Sequence, residues 1–120
     1  MKERKKMNKQ WISHGGKSDI TIVLSSYPSQ QEEYAASELK NYLDYITSSS
    51  ILIGDQNTSG PVITIGSAAA RLGVIAGKEL GDDGFTIRTV GDSLAIVGGK
   101  RGIIYGVYEF LEKLDRKSVV

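Results

Sequence analysis

A chain of 120 residues and 13.0 kDa has room for one domain. Its 40% apolar and 24% charged residues, with 14 glycines and 2 prolines, exclude collagen-like and disordered classes. The absence of cysteine excludes disulfides, thiol catalysis and cysteine-ligated zinc together, and no apolar run reaches the roughly eighteen residues of a membrane span.

Formal net charge is +1, but its distribution is uneven. Residues 1–10 hold Lys2, Arg4, Lys5, Lys6 and Lys9 against Glu3, leaving 10 basic and 13 acidic side chains in the rest. A slightly acidic body behind a basic leader lacks the basic face that phosphate neutralisation needs, so neither nucleic acid nor membrane is an expected partner. The leader imitates the first part of a signal peptide, yet the stretch from Met7 to Gly16 is too polar to continue one. The reading is a flexible basic leader over 1–10, a single domain over 11–115 and a tail over 116–120. It assigns no compartment.

Trp11-Ile12-Ser13 is a short strand candidate, and Gly15-Gly16 supplies a turn. Asp19 to Leu24 is β-branched and almost wholly apolar, which suits a strand buried on both faces. Ser29 and Glu32 then have the spacing of a helix capping box. A helix over 30–46 follows, with Ala35, Leu39, Tyr42, Leu43 and Ile46 in one stripe. Strands are expected at 51–53 and 61–65, and a short helix at 68–72 bounded by Gly73. Phe85–Thr89 and Ser93–Val97 form a hairpin connected by Val90-Gly91-Asp92. The last helix runs over 103–114, with Ile104, Val107, Tyr108, Leu111 and Leu114 as its apolar stripe and Glu109 paired with Lys113. This order predicts an α/β (α+β) fold. It is a single domain whose mixed sheet is packed by two long helices and one short one, with a hairpin before the last helix.

Five segments in order carry a resemblance. They are Gly15 to Val23, Tyr34 to Leu43, Val62 to Gly66, Asp83 to Ile87 and Arg101 to Glu112. Together, over roughly residues 12–114, they resemble the amino-terminal accessory domain of α-glucuronidases of glycoside hydrolase family 67. A similar domain precedes the barrel of family 20 hexosaminidases. The resemblance implies a non-catalytic domain beside a TIM barrel that performs the chemistry. Its implied partner is that catalytic barrel or another protein domain. No catalytic residue carries over, because the barrel's residues are not in this sequence.

The residues themselves offer little chemistry. Glycoside hydrolysis needs two carboxyl groups about 5–9.5 Å apart across a sugar. Asp82 and Asp83 are adjacent in a turn, while Glu109 and Glu112 lie on a solvated helix face, so no catalytic pair is assigned. His14 is the only histidine; it has no nucleophile elbow and no ligand partners, and no metal or cofactor is expected.

Two candidate binding regions remain. Gly98 to Gly102 joins a strand to a helix, where glycine-rich loops can hold phosphate, and Lys100, Arg101 and Gly102 are the anion candidates. The same glycines serve a sharp turn and close helix–sheet approach by Gly102 and Gly106, and that reading is preferred. Tyr34, Glu38, Asn41 and Tyr45 form a second stripe on the first long helix, and Tyr105 lies off the core stripe of the last. Rings beside a carboxylate and an amide suit oligosaccharide contact, although tyrosines edging a core stripe also pack ring-in and hydroxyl-out. The expected function is a non-catalytic ancillary domain of polysaccharide-degrading enzymes. A carbohydrate-binding module is the first alternative and a small anion-binding domain the second.

Overall fold

Ile22 and Val23 lie in β1 (Thr21–Val23), a strand buried in the middle of the sheet, as the apolar run over 19–24 requires. The computed structural model describes residues 20–48, 50–54 and 61–119, so the strand expected at Trp11–Ser13 and the residue His14 lie outside the described residues. The chain continues through α1 (Gln30–Thr47), β2 (Leu52–Gly54) and β3 (Val62–Ile65). Two 3₁₀ segments, Gly66–Leu72 and Lys78–Leu80, lead to the hairpin β4 (Phe85–Val90) and β5 (Ser93–Gly98), and α2 (Gly102–Val119) ends the order.

The five strands lie in the order β2-β1-β3-β5-β4. β1, β2, β3 and β5 run parallel, with Thr21 opposite both Leu52 and Val62 and Thr64 opposite Ala95. Only β4 is antiparallel, pairing Ile87 with Ile96 and Val90 with Ser93. The sheet is therefore mixed, as expected. The connection in the hairpin is Gly91-Asp92 rather than a three-residue turn, because Val90 still pairs with Ser93. Gly91 carries the positive φ of 61°, which fits the first central position of a two-residue hairpin loop.

Side-chain alternation divides the sheet into two faces. Ile22, Ile63, Ile65, Leu94 and Ile96 face both long helices, meeting Ala35, Ala36, Leu39 and Leu43 of α1 and Ile103, Val107, Phe110 and Leu114 of α2. Ala95 and Val97 on the opposite face pack on Ala69 and Val74, and Val23 and Val62 on Ala68. The short helix expected there is a 3₁₀ segment that starts two residues early and stops at Gly73, whose φ is 79°. The second 3₁₀ turn, a single turn between glycines, has no counterpart in the hydrophobic pattern.

α1 begins where its cap dictates. The Ser29 hydroxyl accepts the Glu32 amide at 3.0 Å, and Glu32 Oε1 accepts the Ser29 amide at 3.0 Å. Such a cap contributes about 1 kcal/mol. The helix ends at Ser48 with φ 55°, just past Thr47, whose hydroxyl donates to the Leu43 carbonyl at 2.7 Å.

The core stripe of α2 differs in phase from the expected one. Ile103, Val107, Phe110 and Leu114 are buried, whereas Ile104 and Leu111 are only partly covered and Tyr108 is exposed. The rotation follows from Gly106, where a Cβ would stand 2.8 Å from Ile96 Cγ2 and 3.3 Å from Phe85 Cβ. That glycine lets the helix lie directly on the hairpin, which fixes the inward face one position away from the Ile104–Tyr108 line.

A candidate interaction surface on the two-helix flank

Both long helices follow a strand and return along the same sheet face, so their outer sides form one continuous flank. On it, the Tyr34 and Tyr108 hydroxyls lie 3.3 Å apart, joining the start of α1 to the middle of α2. The hydrogen bond with Tyr34 pushes the Tyr108 phenol up to about 12, with burial and the charge of neighbouring Glu38 acting in the same direction. Glu38 is half-buried beside this pair, one turn along α1 from Tyr34. Tyr34, Tyr105 and Tyr108 each leave between 43% and 49% of their surface exposed. That is enough ring to contact a partner while the rest packs between the helices.

The remaining members of the predicted stripe lie further along. Asn41 is exposed, and Tyr45 is 82% exposed, the most open aromatic of α1. Eleven residues of helix separate Tyr34 from Tyr45 by about 16 Å, so the stripe is an extended surface and not a single pocket. Periodicity alone assigns Tyr108 to the core, one position from Val107, and so leaves it out of the candidate surface. The signal that places it outward is the Gly102–Gly106 spacing, which marks the face that approaches the sheet.

The other predicted residues lie at the start of α2. There the amides of Arg101 and Gly102 donate to the Asp82 carbonyl at 2.7 and 2.8 Å, and the Gly99 amide donates to the Gly84 carbonyl at 3.0 Å. A side chain at Gly102 would overlap the Gly84 carbonyl oxygen, so this glycine admits the 81–84 turn against the helix start. Arg101 Nε donates to Asp83 Oδ1 at 2.6 Å, an exposed pair that holds the arginine raised from its ordinary value. Lys100 is exposed.

The carboxylates considered for chemistry are spread out. Asp83 pairs with Arg101, and Glu109 with Lys113 at 3.6 Å. Among the described residues no group of three histidine, cysteine, aspartate or glutamate side chains could hold a metal. Nor is any helix among them long and apolar enough to cross a membrane.

Comparison with known proteins decides the family. The family model for the glycosyl hydrolase family 67 N-terminus matches residues 2–110. The chain belongs to that family. A solved structure of a GH138 enzyme targeting pectin rhamnogalacturonan II is similar at a TM-score of 0.54 and 19% identity. The match covers 81% of this chain and 10% of that one, so the likeness is one of fold and extends over a small part of the larger enzyme. No match was found among the curated proteins. This family 67 amino-terminal domain thus has the mixed sheet and two-helix layer expected of a glycoside hydrolase accessory domain, and its outer helix flank is rich in tyrosine.

Proposed function

We propose that this chain is a non-catalytic ancillary domain that docks its two-helix flank against the catalytic barrel of a polysaccharide-degrading glycoside hydrolase. The observation that carries the reading is the grouping of Tyr34, Tyr45, Tyr105 and Tyr108, all exposed, on the outer side of α1 and α2. Aromatic side chains are enriched at protein interfaces, where a ring supplies apolar area and its hydroxyl stays hydrogen-bonded. The Tyr34–Tyr108 contact braces two of these rings before any partner arrives, which lowers the ordering cost of docking. Family membership suggests the partner: a domain defined as the amino-terminal part of family 67 hydrolases has a catalytic neighbour of that family to support.

The test is to mix the purified chain with a family 67 catalytic barrel lacking its own amino-terminal domain. A one-to-one complex by calorimetry and co-elution is expected, weakened at least about tenfold when Tyr34 and Tyr108 are both changed to alanine. Hydrolysis of glucuronate-bearing xylo-oligosaccharides by the chain alone would overturn the non-catalytic reading. Saturable amide shifts at Tyr34, Glu38 and Tyr45 with such oligosaccharides, without complex formation, would replace docking by carbohydrate binding.

A further inference from the structure

A second feature lies beside the first turn of α1, on the side turned away from the tyrosine flank. Glu32 and Tyr34 are two residues apart, about 200° around the helix, so they serve different surfaces. A cleft of about 370 Å³ opens at the carboxyl ends of β3 and β5, bounded by the 3₁₀ segment and by Glu32. It lies outside the carboxyl ends of two neighbouring parallel strands. Clefts at such points of a parallel sheet are natural ligand sites. Ala70, Val74, Ile75 and Val97 make its walls apolar, and Ile75 is 77% exposed, so the trough carries uncovered apolar surface.

Glu32 is the charged side chain that lines this cleft. Its carboxylate is fixed from two sides, since Oε1 accepts the Ser29 amide and Oε2 accepts the Ser67 amide, each at 3.0 Å. A carboxylate has about four acceptor positions, so two remain for a ligand. The capping glutamate therefore does more than close a helix: it is held rigid at the edge of an apolar trough. Apolar walls with one immobile carboxylate match a ligand that is aliphatic along its length and cationic at its end. They do not match an anion, and the carboxylate with the Ser67 hydroxyl is sparse for a sugar with several hydroxyls.

We propose that this cleft binds an aliphatic ammonium group, the chemistry of a lysine side chain presented by a partner polypeptide. The stem lies along Val74, Ile75 and Val97, and the ammonium donates to Glu32. The site is independent of the helix flank, so it stands or falls separately from the docking proposed above.

The experiment is an amide NMR titration of the full 120-residue chain with n-butylammonium, butyrate, n-butanol and xylobiose. Saturable shifts at Gly66, Ser67 and Gly98 with n-butylammonium alone are expected. Glu32→Gln should weaken them about tenfold, because glutamine keeps one acceptor oxygen for the Ser29 amide while removing the charge and the acceptor for the Ser67 amide. Ala70→Phe, at an exposed position in the trough, should abolish them; thermal melts of both variants establish that they remain folded. The proposal is overturned by equal shifts with n-butanol or butyrate, by undiminished shifts in a folded Glu32→Gln variant, or by no saturable shift with n-butylammonium. Saturation by xylobiose in its place would overturn it in favour of a sugar site.

Discussion

Asp44 Oδ1 accepts the amide of Ile51 at 2.7 Å, so a carboxylate in the last turns of α1 fixes the residue that leads into β2. Lys40 completes the clamp, donating to Asp44 Oδ2 at 2.7 Å and to the Ile51 carbonyl at 2.9 Å. Burial works to raise the Asp44 carboxyl, but the Lys40 hydrogen bond, the Ile51 amide and the Lys40 charge together bring it below its ordinary 3.8. The helix-to-strand return is thus locked by two side chains four residues apart.

Replacing Asp44 by alanine leaves the amide of buried Ile51 without its acceptor, and a loss of about 1–2 kcal/mol is expected in denaturant titration. Asp44→Asn keeps an acceptor for the amide and loses the charge, so its cost at neutral pH should be smaller. The two differ from the parent in pH dependence. Because the folded state lowers this carboxyl, its contribution is fully present above the ordinary 3.8 and is lost as pH falls through the folded value. Denaturation midpoints measured between neutral pH and about pH 3 should fall more steeply for the parent than for Asp44→Asn. Parallel curves would mean that the clamp is not ionic in solution.

Gly106→Ala sets helix propensity against packing. Alanine in mid-helix gains about 1 kcal/mol over glycine. The new methyl would stand 2.8 Å from Cγ2 of Ile96, a β-branched side chain with no exposed surface. Overpacking of this kind costs about 1–3 kcal/mol, so a net loss and a lowered melting temperature are expected. A melting temperature at or above the parent's would show that α2 can lift from the hairpin without cost.

The same residue marks where sequence reading stops. The helix at 30–47, the paired strands of the hairpin and the Ser29–Glu32 cap are local features, set by spacing a few residues apart, and they are legible in the chain. α2 presents doublets at Ile103-Ile104, Val107-Tyr108 and Phe110-Leu111, so two adjacent stripes are nearly equal in apolarity and the period alone does not choose. The choice comes from Gly106 against Ile96, a contact between helix and sheet. For the same reason the period places Tyr108 in the core and gives no hint of its meeting with Tyr34, 74 residues away. The Lys40–Asp44–Ile51 clamp and the second bond of Glu32 to Ser67 likewise depend on loops whose path no short pattern encodes. α1 has doublets too, at Tyr34-Ala35-Ala36, Tyr42-Leu43 and Tyr45-Ile46, but Glu38 and Lys40 break the stripes on either side of Ala35, Leu39 and Leu43, so its inner and outer sides follow from the period.

At the start of α2, pyrophosphate is expected to leave the Arg101 and Gly102 amides unmoved. Both already donate to the Asp82 carbonyl, and an anion would have to displace a backbone acceptor held by the 81–84 turn. Amide exchange at these two positions should be slow and unchanged by added pyrophosphate. Protection that grows with its concentration would restore the loop around Lys100 and Arg101 as an anion site.

The Tyr34–Tyr108 contact should be visible in phenol titration. Tyr108 is held up to about 12, against an ordinary 10.0, first through its hydrogen bond with Tyr34. Among the 6 tyrosines, the ring resonance of Tyr108 should therefore titrate late in an NMR series at alkaline pH. Tyr34→Phe removes the partner hydroxyl while keeping the ring, and should move Tyr108 back toward its ordinary value. The linked stability is present below the ordinary 10.0 and is lost as pH rises through about 12, so the parent should lose stability over that window and Tyr34→Phe should lose less. Tyr108 is 43% exposed, so solvent screening keeps the stability change small and the resonance shift is the decisive readout. If Tyr108 titrates identically in both proteins, the two rings do not meet in solution and the helix flank is less ordered than its docking role requires.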